Sequence, residues 1–189
     1  MKKILQKNEG VLRKKAREIK VSEIRTLKIK KVLKEMSTAL EGQGDGVAIA
    51  APQIGYSLRI FIVSGRIFEK DFVTNKQERF TEEQPEENIK EIKEKPKNLV
   101  FINPKISKLS RKKEWMPEGC LSVRPLYGKT FRSIKATVTA YDEDGKKFER
   151  GGSGLLAQIF QHETDHLDGI LFIDHAKDIK EEKIPNEKN

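Results

Sequence analysis

Residues 161–169 read QHETDHLDG, and the pair His162 and His166 constrains the fold of this stretch more than any other feature of the chain. Two imidazoles four residues apart stand side by side on a helix, about 40° apart around its axis and roughly one turn apart along it. The preceding residues supply that helix: after Ser153, the apolar Leu155, Leu156, Ile159 and Phe160 recur at helical spacing, and Gly169 is placed to end it. On such a surface His162 and His166 can close on one ion. Glu163 then lies beside the ion without having to bind it, which suits a base acting on water activated by a metal. The plain alternative, two helix histidines that merely pack or cap, has composition against it, because the chain holds only three histidines.

Two histidines do not complete a catalytic metal site; a third protein ligand is needed, with one position left open. The candidates are a distal carboxylate, His175 and Cys120. His175 lies nine residues beyond His166 in a charged region and reads as a surface residue. Cys120, the single cysteine, sits in PEGCLSV, a bend leading into a short apolar run. It excludes an intrachain disulfide, and its bland reading is a small buried hydrophobe. Physical chemistry alone leaves this choice open.

The 189 residues suffice for one domain with a real core, and 36% hydrophobic against 35% charged residues describes a soluble chain. No apolar run approaches the ~20 residues of a membrane span, and the start carries no apolar core of a secretory signal, so a cytoplasmic location is expected. The formal charge of +9 favours a polyanionic neighbour such as RNA or a ribosome surface. Basic residues are interspersed with acidic ones along the sequence, however, and no motif for sequence-specific nucleic-acid recognition is present. Residues 22–41 predict a helix capped by Ser22, with Ile24, Leu27, Val32, Leu33, Met36 and Leu40 on its apolar stripe. Residues 58–63 and 99–106 predict strands, and 135–150 a hairpin turning at Asp144-Gly145. The charged stretch 69–98 predicts a surface insertion with a short helix at EENIKEIKE, and the tail 176–189 is expected to fray.

Three stretches together, GVAIAAPQIG (46–55), EGCLS (118–122) and QHETDHL (161–167), resemble the signature motifs of the peptide deformylases, in the same order. FINPKI and GILFID extend the likeness over most of the chain, apart from the insertion and the tail. The resemblance implies a single α+β domain over 1–189, with mixed, mostly antiparallel sheets around a central helix. It implies Cys120, His162 and His166 as metal ligands and Glu163 as general acid and base. Gln53 and the backbone N–H of Leu121 would face the substrate carbonyl oxygen. Gly46, Val47 and Ala48 would line the substrate. Beside the resemblance, Glu118 is a candidate hydrogen-bond acceptor from a ligand histidine and Asp165 a candidate partner of Arg132 beneath the site, with a plain surface carboxylate as the alternative reading of each.

The reaction implied is hydrolysis of the formamide on the initiator methionine of N-formylmethionyl nascent peptides, releasing formate. The metal implied is Fe2+, although a Cys-His-His set also fits Zn2+, Ni2+ or Co2+. One departure stands out: Ala48 occupies a position where the family usually has glycine, placing a methyl beside the substrate backbone. Two rival readings remain. A zinc endopeptidase would recruit Asp174 or His175 as its third ligand, and a noncatalytic peptide- or ribosome-binding relative would keep only the fold.

Overall fold

A computed structural model describes residues 2–69 and 96–182. Helix α1 spans Leu27–Glu41 and helix α2 Gly154–Leu167. The strands are β1 (Ala48–Ala50), β2 (Ile60–Val63), β3 (Leu99–Leu109), β4 (Lys113–Gly119), β5 (Leu126–Ser133), β6 (Lys135–Tyr141), β7 (Lys147–Ser153) and β8 (Lys177–Glu181). They form a five-stranded sheet ordered β1-β2-β3-β6-β7 and a three-stranded sheet ordered β4-β5-β8. Every pairing of named strands is antiparallel, and an isolated bridge between Arg17 and Leu58 is parallel. The α+β class read from the sequence is the observed class.

The larger sheet is apolar on both faces where it matters. Ile60, Ile62 and Ile102 pack beneath Ile29, Val32, Met36 and Leu40 of α1. Their neighbours Phe61, Val63 and Phe101 point the other way and meet Ala157 and Phe160 of α2. This is why β2, Ile-Phe-Ile-Val, is an uninterrupted apolar run: successive side chains point to opposite faces, and both faces are covered. Phe61 stacks on Phe101 at 4.5 Å, and Phe160 meets Phe101 edge-on at 5.3 Å, so the helix bearing the histidines rests on a rigid aromatic floor.

The ends of α2 are fixed. Its last carbonyl, Leu167 O, accepts Ala16 N at 2.8 Å and Arg59 Nη1 at 3.2 Å. Gly169 follows at φ +79°, and a β-carbon there would also approach within 2.8 Å of the Arg13 backbone. On the other side Gln161 accepts from Ser133 N at 3.0 Å and donates to Ser133 O at 2.9 Å, locking α2 to β5 of the smaller sheet.

Two expectations need correction. The first helix begins at Leu27, not Ser22. Residues 21–23 close a separate 3-10 turn, and the Thr26 hydroxyl donates to Glu23 O at 2.7 Å, breaking the continuity. The tail does not fray at 177–181: these residues form β8, pairing with β5. All five side chains are exposed, so the order comes from ladder hydrogen bonds and left no apolar signal. The helix expected at EENIKEIKE lies outside the described residues, as do most of the insertion and the last residues of the tail.

Candidate metal centre

Strand β4 ends at Gly119, where a β-carbon would collide with the Tyr127 ring, and the next residue is Cys120. Its thiol lies 3.1 Å from His166 Nε2, and one ligand atom each from Cys120, His162 and His166 falls within a 4.8 Å cluster. The sequence left the third ligand open. Geometry brings in Cys120 and leaves the rivals elsewhere: Asp174 pairs with Arg13 at 2.6 Å, and His175 faces Asp165 at 3.9 Å. One soft thiol and two imidazoles converging on a point suit a divalent transition metal.

Glu118 organises one side of the cluster. Its Oε1 lies 2.7 Å from His162 Nδ1 and accepts Arg132 Nη2 at 2.8 Å. Its Oε2 accepts Thr130 Oγ1 at 2.6 Å, Arg132 Nε at 3.1 Å and Gln158 Nε2 at 3.2 Å. Arg132 Nη1 continues to Asp165 at 2.6 Å. Burial alone would raise the Glu118 pKa; the bond and charge of His162, then those of Arg132, reverse this and hold it well below the usual carboxylate range. With Nδ1 engaged, His162 has Nε2 left for a metal.

Glu163 has the opposite surroundings. It is 4% exposed, and its Oε2 has no hydrogen-bond partner among the described residues. Burial pushes its pKa up to about 7, against the pull of a charged His162. Nearby, Gln53 accepts from Ala50 N at 2.8 Å through Oε1, which turns Nε2 toward Ser122 Oγ at 3.1 Å and Cys120 Sγ at 3.5 Å. The Leu121 N–H donates to no protein acceptor among the described residues, while Leu121 O accepts Gln6 Nε2 at 3.2 Å.

Gln53, Glu118, Cys120, Leu121, His162 and Glu163 line a cavity of about 500 Å³. Gly46, Val47 and Ala48 form one wall, where the chain enters β1 at the edge of the larger sheet; Leu121, Leu155 and Ile159 supply apolar surface. Sequence reasoning missed Gln158 and Thr130. Gln158 lies one turn before His162, and that i, i+4 spacing was a usable signal. Thr130 gave none, because only the register of β4 against β5 brings it to Glu118. Among the described residues no helix is long and apolar enough to cross a membrane.

Known proteins are similar to this chain over most of its length. A "Peptide deformylase" of Desulforudis audaxviator is 36% identical over 180 residues, covering 95% of this chain and 96% of that protein. "Peptide deformylase 1A, chloroplastic/mitochondrial" of Arabidopsis thaliana is 35% identical over 173 residues, and the match spans 60% of that longer protein. The crystal structure of a class I type b peptide deformylase from Acinetobacter baumannii with Met-Ala-Ser bound superposes with a TM-score of 0.72 at 28% identity, covering 91% of this chain and 96% of that one. Residues 1–182 match the family model described as polypeptide deformylase, and the chain belongs to the peptide deformylase family.

Proposed function

We propose that this chain, working as one domain in the cytoplasm, hydrolyses the formamide of N-formylmethionyl nascent peptides, yielding formate and a free amino terminus. The observation that carries the reading is the buried Glu163, its Oε2 without a partner among the described residues, in one cavity with Cys120 and His162 of the Cys120-His162-His166 cluster. A divalent ion held by those three residues supplies Lewis-acid polarisation of the formyl carbonyl and lowers the pKa of water. We assign that ion as Fe2+; the donor set accepts Zn2+, Ni2+ or Co2+ as well.

The chain's own residues supply the rest. Glu163, poised near neutrality, takes the proton of the attacking water and delivers it to the departing amine nitrogen. The Leu121 N–H and Gln53 Nε2 donate to the oxygen that gains charge, where losing one donor typically costs about 100- to 1,000-fold. Glu118 fixes the His162 ring, Arg132 and Asp165 hold Glu118, and Gly46, Val47 and Ala48 present backbone to the peptide. The net positive charge keeps the protein close to ribosomes, where substrates emerge.

The test is formate release from formyl-Met-Ala-Ser by protein purified without oxygen, with metal analysis of the same sample. Turnover proportional to bound metal is expected, and Cys120→Ser should lose the metal, because a neutral hydroxyl is a far poorer ligand than a thiolate. Stoichiometric metal in that variant would overturn the ligand assignment and return the endopeptidase reading.

A further inference from the structure

The interspersion of basic with acidic residues does not hold at the start of the chain. Residues 1–34 hold 13 of the 38 lysines and arginines but only Glu9, Glu18 and Glu23 of the 29 acidic residues, a net of +10. Everything after Lys34 sums to −1, so the whole excess belongs to the amino-terminal segment and the start of α1. Charge asymmetry of this kind points to a polyanionic partner.

The structure gathers part of that charge on one surface. Ile29, Val32, Leu33, Met36, Ala39 and Leu40 bury one side of α1, leaving Lys28, Lys30, Lys31 and Lys34 exposed on the rest. None of these four, nor Arg25, takes part in an ion pair among the described residues. Lys2 extends the surface: its Nζ lies 4.9 Å from the Tyr56 ring centroid, and the Tyr56 hydroxyl donates to Glu35 of α1 at 2.8 Å.

This arrangement works against the helix itself. Lys28 and Lys31, Lys30 and Lys34, and Lys31 and Lys34 are like-charged neighbours at i, i+3 or i, i+4. The first turn also carries no acidic residue, although the helix N-terminus favours negative charge. A row of phosphates relieves both penalties.

We infer that the exposed side of α1, with the amino-terminal segment beside it, is a docking surface for structured RNA contacted through its phosphates. RNA is favoured over an anionic membrane because the apolar side of α1 is already spent in the core, and Leu27 is the single exposed apolar residue of the helix. The choice of RNA also rests on the proposed substrate, a new polypeptide whose amino terminus becomes available beside ribosomal RNA. With no base-reading motif, the interaction depends on charge and not on base sequence.

Fluorescence anisotropy with a labelled RNA duplex of ~20 base pairs tests this on the full chain. Binding at about 50 mM salt should weaken steeply toward 200 mM. Replacing Lys30, Lys31 and Lys34 together by Gln should weaken binding at least ~10-fold and flatten the log–log salt slope by about two to three, near one per lysine. Lysine and glutamine have similar helix propensity, so the fold should persist; the single change Lys34→Gln, expected to flatten the slope by about one, repeats the test in a gentler variant. A control of equal charge, Lys108, Lys135 and Lys147 to Gln, lies on β3, β6 and β7 and should change affinity less than about 2-fold. No RNA binding at low salt, equal losses in the two triple variants, or tighter binding to phosphatidylserine vesicles would each overturn the proposal. Formate release from free formyl-Met-Ala-Ser should be the same in parent and α1 variant. Its absence in the parent would sink the deformylase reading by itself, leaving the RNA result to be judged separately.

Discussion

His162 and His166 stand one turn apart on α2, yet their surroundings differ in kind. His162 leans on Glu118, which collects five hydrogen bonds from Thr130, Arg132, Gln158 and His162 itself. His166 has no partner at Nδ1 among the described residues and is 1% exposed, so only packing and the Cys120 thiol at Nε2 fix its ring. The consequence is electrostatic. Burial would lower the proton affinity of His162, but Cys120 and Glu118 more than reverse this and raise its pKa well above that of a free imidazole. Burial, reinforced by a charged His162, drives the His166 pKa well below it. His166 is therefore neutral and ready to ligate, whereas His162 must release a proton to do so. Metal binding must displace the proton at His162, and this competition weakens it as pH falls through the raised pKa of that residue. Glu163, between them in sequence, has its Oε2 buried without a partner among the described residues, as His166 has its Nδ1: the braced side of the site holds geometry, and the bare carboxyl group is free to move a proton.

Glu163→Gln breaks the bare side and should have the largest effect. The amide keeps size and a carbonyl oxygen but cannot accept the proton at neutral pH or deliver one to the amine. General acid–base groups contribute about 100- to 10,000-fold, and this one serves in both steps, so turnover per bound metal should fall by about 10,000-fold or more with metal content retained. More than a tenth of normal turnover per metal would remove Glu163 from the mechanism.

The same substitution should change stability in the chelator-stripped protein. The folded pKa of Glu163 is raised to about 7 from 4.5, so its stabilising contribution is complete below the unfolded value and is lost as pH rises through the folded one. The shift corresponds to about 3 kcal/mol for a buried group. Denaturant melts at pH 5 and pH 8 should show Glu163→Gln gaining on the parent by up to that amount as pH rises. A constant difference would mean that Glu163 is well hydrated in solution.

Glu118→Gln attacks the braced side. One acceptor oxygen cannot serve five donors, and the new amide protons face Arg132 and His162. Metal affinity should fall about 10- to 100-fold, the usual cost of losing a partner behind a ligand. The loss should shrink at lower pH, because without the carboxylate His162 holds its competing proton less tightly. Competition with a chelator at several pH values measures both effects, and a loss independent of pH would separate Glu118 from the His162 proton.

The contrast between the two sides was only half legible in the sequence. Helical spacing placed His162 and His166 on one face because i, i+4 geometry is local. The core strands were legible too, since β2 and the start of β3 are apolar runs. Strands β4, β5 and β8 were not: KEWMPEG and KDIKE are charged and largely exposed, and pairing with neighbours forms them. Glu118 acquires its partners through that pairing. Arg132 and Thr130 alternate inward along β5, and the register sets Arg132 opposite Glu114 and Thr130 opposite Met116, close enough to reach one carboxylate. Nothing local announces such a cluster. The missing partner of Glu163 was equally invisible, because burial by distant residues creates it.

Ala48→Gly should give the smallest effect and tests the substrate wall directly. Ala48 begins β1, pairs with Val63, lines the cavity and is 6% exposed within the cluster that includes Phe61 and Val63. Its methyl has two neighbourhoods, the core beneath and the peptide path in front. If the peptide path dominates, glycine relieves crowding, and kcat/KM on formyl-Met-Ala-Ser should rise a few-fold, about 1 kcal/mol or less, with metal content unchanged. The core opposes it: losing a buried methyl costs about 0.8 kcal/mol, and glycine in a strand costs roughly 0.5–1 more, so stability should fall by about 1–2 kcal/mol. Both sides of the metal cluster are untouched, so neither the pH dependence of metal affinity nor that of turnover should move. Kinetics and melting therefore separate the two neighbourhoods: a lower melting temperature with unaltered kcat/KM would place the methyl in the core alone, and the departure from the family's glycine would then be a packing choice with no bearing on the substrate.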